Sequence, residues 1–408
     1  MKCRHCDSAL EHIFLDLAFA PPSNAYLSSE SLTGPEKYFP LKVRVCECCW
    51  LVQTEDYAEA SELFDSTYAY FSSTSISWLL HAEQYAKKII KELFLTKDSL
   101  VIEIASNDGY LLKNFLSSKI PCLGIEPTKS TAIASEKIGI SVIHDFFTEL
   151  LARKLASSGR KADLIIGNNV YAHVPNINDF TRGLKELLKP NGVVTLEFPH
   201  IMKLIENTQF DTIYHEHFSY LSLYTVNEIF NRFGLRVFDV QEISTHGGSI
   251  RVYGCHHNDK RQTSSAVTEL LNEEGRRGLQ KITTYRGFQE RVNKIKDDLL
   301  LFLIEKKRAS NKVVAYGAAA KGNTLLNYAG VKSDLVTCVF DAAIAKQFKF
   351  MPGSHIPILP PAEIIKKNPD YILILPWNIA SEVRGQLKNV LSTHVKFVTA
   401  IPFLKIHE

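Results

Sequence analysis

From Leu100 onward the chain alternates short apolar runs with amphipathic stretches. Leu100-Val101-Ile102-Glu103-Ile104, Cys122-Leu123-Gly124-Ile125-Glu126, Ser141-Val142-Ile143, Asp163-Leu164-Ile165-Ile166-Gly167 and Gly192-Val193-Val194-Thr195-Leu196-Glu197 each read as a strand. Strands alternating with helices predict a mainly parallel, doubly wound sheet. A highly charged stretch from about 256 to 310 reads as long surface helices, and then the pattern restarts in strands beginning at Lys312, Thr337, Tyr371 and Phe397. Ahead of both α/β units, residues 1–70 are turn-rich, with Ala20-Pro21-Pro22-Ser23-Asn24 in their midst. A helical pattern runs from about Trp78 to Leu95. The predicted boundaries are 1–70, 71–255 and 256–408.

Composition adds little to this picture. A length of 408 residues suits two or three domains, and 45% hydrophobic with 22% charged residues is ordinary for a soluble enzyme. A net charge of +3 argues against a general nucleic-acid surface. No apolar run reaches the roughly 18–20 residues of a membrane helix, and the N-terminus lacks a secretory pattern, so the expected location is cytoplasmic.

The cysteines are more informative, because five of the eight fall in the first 49 residues. Cys3-x2-Cys6 followed by Cys46-x2-Cys49 suits four thiolates around a tetrahedral Zn²⁺. Cys48 competes with Cys49, and the matching two-residue gap selects Cys49. A closed four-sulfur site leaves no place for substrate, so the zinc is expected to be structural. Chance clustering or a thiol redox role is the competing reading.

Polar cues sit at successive strand ends of the first α/β unit. Glu103, Ala105, Asn107 and Gly109 lie in the first strand and its small-residue turn, Glu126 ends the second strand, Asp145-Phe146 follows the third, and Asn168-Asn169 closes the fourth. A ligand in that crevice follows from the topology of parallel sheets. The cues fit adenosine attached to a sulfonium amino acid better than NAD, since no glycine-cradled pyrophosphate site is present.

Tyr214-His215-Glu216-His217 is the densest run of titratable side chains, and His173 follows the fourth strand. A near-neutral His217 suits a general base that Glu216 could orient or make more basic. A metal pair of His215 with His217, or a loop without chemistry, stays open. His246-Gly247-Gly248-Ser249-Ile250-Arg251 reads either as a polar-ligand site or as a plain hairpin turn. Tyr316-Gly317-Ala318-Ala319-Ala320-Lys321-Gly322-Asn323 opens a helix after a strand, where amides and Lys321 suit a phosphate.

Together these segments, with Leu51-Val52-Gln53, Asn169-Val170-Tyr171-Ala172-His173-Val174 and Tyr214-x-Glu216-His217-Phe218-Ser219-Tyr220, resemble the C-methyltransferases of nucleotide-linked deoxysugars, the dTDP-sugar C-3 methyltransferases above all. The resemblance covers nearly the whole chain. Ala105 and Trp50 depart from it, each standing where glycine is common.

The resemblance implies a class I S-adenosylmethionine-dependent methyltransferase domain (α/β, Rossmann-like) between a zinc-binding module and a C-terminal Rossmann-like domain. It implies a monomer acting on a dTDP- or GDP-linked 4-keto-6-deoxy sugar, without nucleic acid or membrane. It makes His217 the base, Tyr214, His173 and Glu216 its supporting groups, and Tyr68, His246, Arg251, Lys321 and Asn323 substrate contacts. The alternatives are O- or N-methylation of a small molecule, or a zinc-ribbon binding protein with inactive α/β units.

Overall fold

The computed structural model describes residues 1–57, 71–388, 390–391 and 394–407. Tyr68 therefore lies outside the described residues. Three sheets organise them. Strands β1 (His12–Ala20), β2 (Phe39–Val45) and β3 (Val52–Thr54) form an antiparallel meander where the cysteine-rich region read as turns.

The second sheet uses β4 (Val101–Ile104), β5 (Cys122–Ile125), β6 (Ser141–Ile143), β7 (Ala162–Asn168) and β8 (Leu188–Pro199), all parallel, near the positions the apolar runs predict. A two-residue strand, β9 (Ser219–Tyr220), leaves this unit and pairs with β3 on the first sheet. Strands β10 (Leu235–Ile243) and β11 (Ser249–His256) complete the order β10-β11-β8-β7-β4-β5-β6, in which β11 alone is reversed. This is the class I methyltransferase architecture that the resemblance implies. The sequence reading missed the β10–β11 pair, because one face of β10 is half-buried and its run is broken by charged Arg236, Asp239 and Glu242.

The third sheet orders β12 (Val313–Tyr316), β13 (Val339–Phe340), β14 (Ile358–Leu359), β15 (Tyr371–Ile374), β16 (Lys396–Thr399) and β17 (Lys405–His407) as β14-β13-β12-β15-β16-β17. Only β17 is antiparallel.

The Ile76–Glu92 helix starts at Ser75, whose hydroxyl accepts from the Trp78 N–H, and it buries Ala82, Tyr85, Ala86 and Ile89 at helical spacing. The charged stretch after β11 is not simply a solvated surface. Its Phe288–Arg308 helix buries Phe288, Val292, Ile295, Leu299, Phe302 and Leu303 along one stripe, and Phe288 stacks on Phe14 of β1 at 4.5 Å. Among the described residues no helix is long and apolar enough to cross a membrane.

One buried ion pair fixes the connection between the second and third sheets. Glu274 accepts from the His200 ring at 2.7 Å and from the Leu223 and Tyr224 amides at 2.6 and 2.9 Å, capping the Leu223–Arg232 helix. His200 and Leu223 are withdrawn from water, so removing the carboxylate leaves them unsatisfied. Glu274→Ala is expected to lower unfolding free energy by about 3 kcal/mol, read from urea titration. An unchanged midpoint would show that the pair holds nothing.

Candidate active site

The four cysteine sulfurs predicted to be ligands all lie within 4.8 Å of one another. Cys3 and Cys49 approach to 3.5 Å, as do Cys6 and Cys46. Such spacings suit one tetrahedral Zn²⁺ with bonds of about 2.3 Å. Cys48 points to solvent. Without a cation the sulfurs cannot all ionise: hydrogen bonds from Cys46 and Cys49 push Cys3 far down, while the one with Cys3 pushes Cys46 up to about 12 and Cys49 higher still. Each pair sits in a tight turn, closed by Asp7 N–H to Cys3 O and by Trp50 N–H to Cys46 O. Trp50 has φ +60, which explains the glycine usual there.

At the C-terminal ends of β4 and β7 lies a group of unsatisfied polar atoms. Among the described residues, Glu103 Oε2, Ser106 Oγ, Asp108 Oδ1 and both amide atoms of Asn168 are buried without a hydrogen-bond partner. Buried polar atoms of this kind call for a polar ligand. Ala105, at φ +55, makes the turn where glycine is common. Gly124 on β5 leaves room for Ser106, since a Cβ there would overlap the Ser106 hydroxyl. Glu126 accepts from the Asn107 amide at 2.8 Å and the Thr128 amide at 2.9 Å, so its carboxylate braces two loops. Burial, with Glu126 and Asp108 nearby, holds the Glu103 carboxyl well above the usual range. Asp145 accepts from the Phe146 amide at 2.8 Å, and both residues lie exposed beyond β6.

His217 lies in a second cluster. Its Nδ1–H donates to the Thr212 carbonyl at 2.7 Å, which leaves Nε2 with its lone pair. Tyr214 stacks on its ring at 4.0 Å and His173 meets it edge-on at 4.6 Å. Burial first, then His173, presses the His217 pKa well below the ordinary value; it is not near neutral, as the sequence suggested. Burial likewise lowers His173 and His246 to about 4. The Asn169 amide donates to His246 Nε2 at 3.1 Å, tying the β7 end to this cluster. His215 bonds the Pro40 carbonyl instead, and the cysteine group is the only metal-competent cluster among the described residues.

Lys321 enters from the third sheet. Its ammonium donates to Asn378 at 3.1 Å and lies 4.9 Å over Trp377, whose indole N–H donates to Asp211 at 2.7 Å. Burial pushes Asp211 up to about 6 against the pull of Lys321. Lys321 thus faces imidazoles and a carboxyl rather than an open phosphate site. Arg251 and Asn323 are likewise turned inward. Arg251 pairs with buried Glu197 beneath Tyr85, and Asn323 donates to the Ser23 carbonyl at 2.6 Å.

The sequence reading passed over several groups at this site. His81 binds Glu197 at 2.9 Å and stacks on Trp78 at 5.0 Å, and Trp78 reaches His246 at 5.3 Å. Glu197 was detectable as an acid at the end of the fifth strand. Trp78 and His81 carry no pattern beyond an amphipathic helix.

Family models match a zinc binding domain over residues 3–64, a methyltransferase domain over 68–240 and a C-methyltransferase C-terminal domain over 244–402. The C-methyltransferase NovU of Streptomyces niveus is 34% identical over 404 residues, covering 98% of this chain and 95% of the relative. Among solved structures, magnesium protoporphyrin IX methyltransferase of Synechocystis PCC 6803 with bound SAM aligns at TM-score 0.35 and 14% identity, over 50% of this chain and 100% of that one. An S-adenosylmethionine-dependent methyltransferase of Clostridium acetobutylicum aligns at TM-score 0.34 and 10% identity, over 43% and 90%.

Metal analysis separates the competing thiols. Purified protein and its Cys48→Ser variant are expected to hold one zinc per chain, and Cys49→Ser to lose it together with thermal stability. Loss of metal from the Cys48 variant would move the fourth ligand.

Proposed function

This chain belongs to the C-methyltransferase family, and from that premise we propose that it transfers the methyl group of S-adenosylmethionine to C3 of a dTDP-linked 4-keto-6-deoxy sugar. The observation that carries the reading is a buried, neutral imidazole, His217, whose Nδ1–H is fixed on the Thr212 carbonyl and whose Nε2 is left to take a proton.

A proton on the carbon beside a ketone is acidic enough for such a base, and the enolate that forms is a carbon nucleophile. His217 Nε2 takes the C3 proton. Tyr214 and His173, packed on the His217 ring, border the ketone oxygen, and the Lys321 cation stands on the same side to offset its developing charge. Glu103, Asn107, Gly109, Glu126 and Asn168 would hold the methyl donor, a reading supported by the unpartnered Glu103 and Asn168 atoms at the ends of β4 and β7. S-adenosylmethionine, when bound, supplies an electrophilic methyl group. The site must then hold donor and acceptor in line, which is a task of alignment.

A neutral base is active above its pKa and lost as protonation sets in below it. Because burial and His173 depress His217, the acid limb of kcat/KM is expected below pH 6.5, the ordinary histidine range. The test is a panel of 4-keto-6-deoxy nucleotide sugars with labelled donor, alongside deuterium exchange at C3 in the absence of donor. His217→Ala should abolish the exchange and lower turnover by about 100-fold or more, with donor affinity within about twofold. Undiminished exchange in that variant would remove His217 as the base, and no labelled product from any 4-keto sugar would remove the substrate class.

A further inference from the structure

The segment Pro21-Pro22-Ser23-Asn24-Ala25-Tyr26-Leu27 leaves the end of β1 and runs between the other two units as a strap. It is pinned almost residue by residue to the third sheet's unit. Pro21 packs on Gly353, and the Ser23 carbonyl accepts from Asn323 at 2.6 Å. The Tyr26 hydroxyl donates to the Ala318 carbonyl at 2.6 Å, with the Lys346 ammonium 5.2 Å over its ring. Leu27 exchanges backbone hydrogen bonds of 3.0 and 2.8 Å with Phe350. Consecutive prolines fix φ in this stretch, so the strap is stiff where it turns.

Asn24 reaches the other way. Its amide nitrogen donates to both carboxylate oxygens of Glu216, at 2.9 and 2.8 Å, and Glu216 is 1% exposed. An N–H addressed to both oxygens suits the ionised form and fixes the plane of the carboxylate. The backbone of the same residue matters too, because the His173 ring hydrogen-bonds the Glu216 carbonyl. Glu216 is therefore the joint through which a change in the strap reaches both imidazoles.

We propose that Asn24 is a positioning residue for methyl transfer: the strap brings its amide to Glu216, and that clamp holds the His173–His217 corner in its working geometry. Asn24 touches no reacting atom, and it acts through Glu216. The role rests on the C-methyl-transfer reading above.

A double-mutant cycle tests it in the full chain, with labelled donor and whichever 4-keto sugar turns over. Asn24→Ala should lower kcat about 10- to 100-fold and leave donor KM within about twofold. In a Glu216→Ala background, which removes both acceptor oxygens, the same substitution should change kcat by less than about twofold, because its effect passes through that side chain. Asn24→Leu keeps the size and removes the donor without adding a charge beside Glu216, so it should lose as much kcat as Asn24→Ala in protein that still unfolds cooperatively. Equal losses in both backgrounds, or no loss in either, would overturn the proposal.

If no sugar in the panel turns over, the substrate reading fails and a substrate-free measurement decides on Asn24. Histidine-15N spectra should show the His173 and His217 ring signals shifted in the uncharged Asn24→Leu variant and the remote His12 and His407 signals in place. Unmoved His173 and His217 signals would overturn the clamp.

Discussion

The pairing of β3 with β9 is only two residues long, Val52 with Tyr220 and Gln53 with Ser219, yet the reaction corner depends on it. His217 lies two residues before β9, so its backbone position is inherited from the edge of the N-terminal sheet. Gln53 joins that edge to the cysteine cluster. Its amide donates to Cys3 Sγ at 3.2 Å and its carbonyl accepts from the Arg4 amide at 2.9 Å. A module this small buries too little apolar surface to be rigid alone, and metal thiolates supply the missing stabilisation. The backbone position of His217 is thus referred to the cysteine cluster through one glutamine and one strand pair. The strap repeats the logic from the opposite end of β1.

The second constraint is electrostatic. His173, His217 and His246 are packed together in uncharged form, with one cation, Lys321, close by. In a low-dielectric corner a second positive charge is costly, so the lysine and the burial together keep the imidazoles basic sites without protons. Burial lowers the Lys321 pKa and Asp211 opposes that shift, while the Trp377 N–H keeps that carboxylate oriented. A corner with one fixed positive charge and neutral bases favours negative charge appearing on a substrate oxygen.

How much of this was legible in the residues follows from what each signal depends on. The strands β4 to β8, the sulfur ligands and the titratable run at 214–217 are local patterns, and the sequence displays them. Strand β10 was hidden because a half-buried edge of the sheet tolerates charge on its wet face, and β11, buried along almost its whole length, because Ser249 and Arg251 break its apolar run. Arg251 and Asn323 read as ligand contacts because they sit beside glycine-rich turns. The structure gives one guanidinium nitrogen of Arg251 to Glu197 and the amide nitrogen of Asn323 to Ser23, partners 54 and 300 residues away in the chain, and leaves Arg251 Nε and Asn323 Oδ1 buried without a partner among the described residues. The His217 pKa was misjudged for the same reason, since burial is a tertiary property. Ala105 and Trp50 stand where glycine is common, and both prove to occupy left-handed backbone where glycine would be unstrained.

The glycine pair of the 245–248 turn shows why the third unit cannot be treated as an appendage. A Cβ on Gly247 would overlap the Trp377 ring, and one on Gly248 would press against Lys203. Trp377 is thus seated on the β10–β11 hairpin, in a socket made by the absence of a side chain. From that seat its indole N–H reaches Asp211 and its ring face carries Lys321. The hairpin is both a plain turn and part of the site, because the same glycines that let the chain reverse also admit the third unit. Closure of that unit, rather than any motif within it, is what places a cation beside the imidazoles. The same closure carries Asn323 and Ala318 to the strap and so holds Asn24 against Glu216. The reaction corner is therefore complete only when all three sheets are docked.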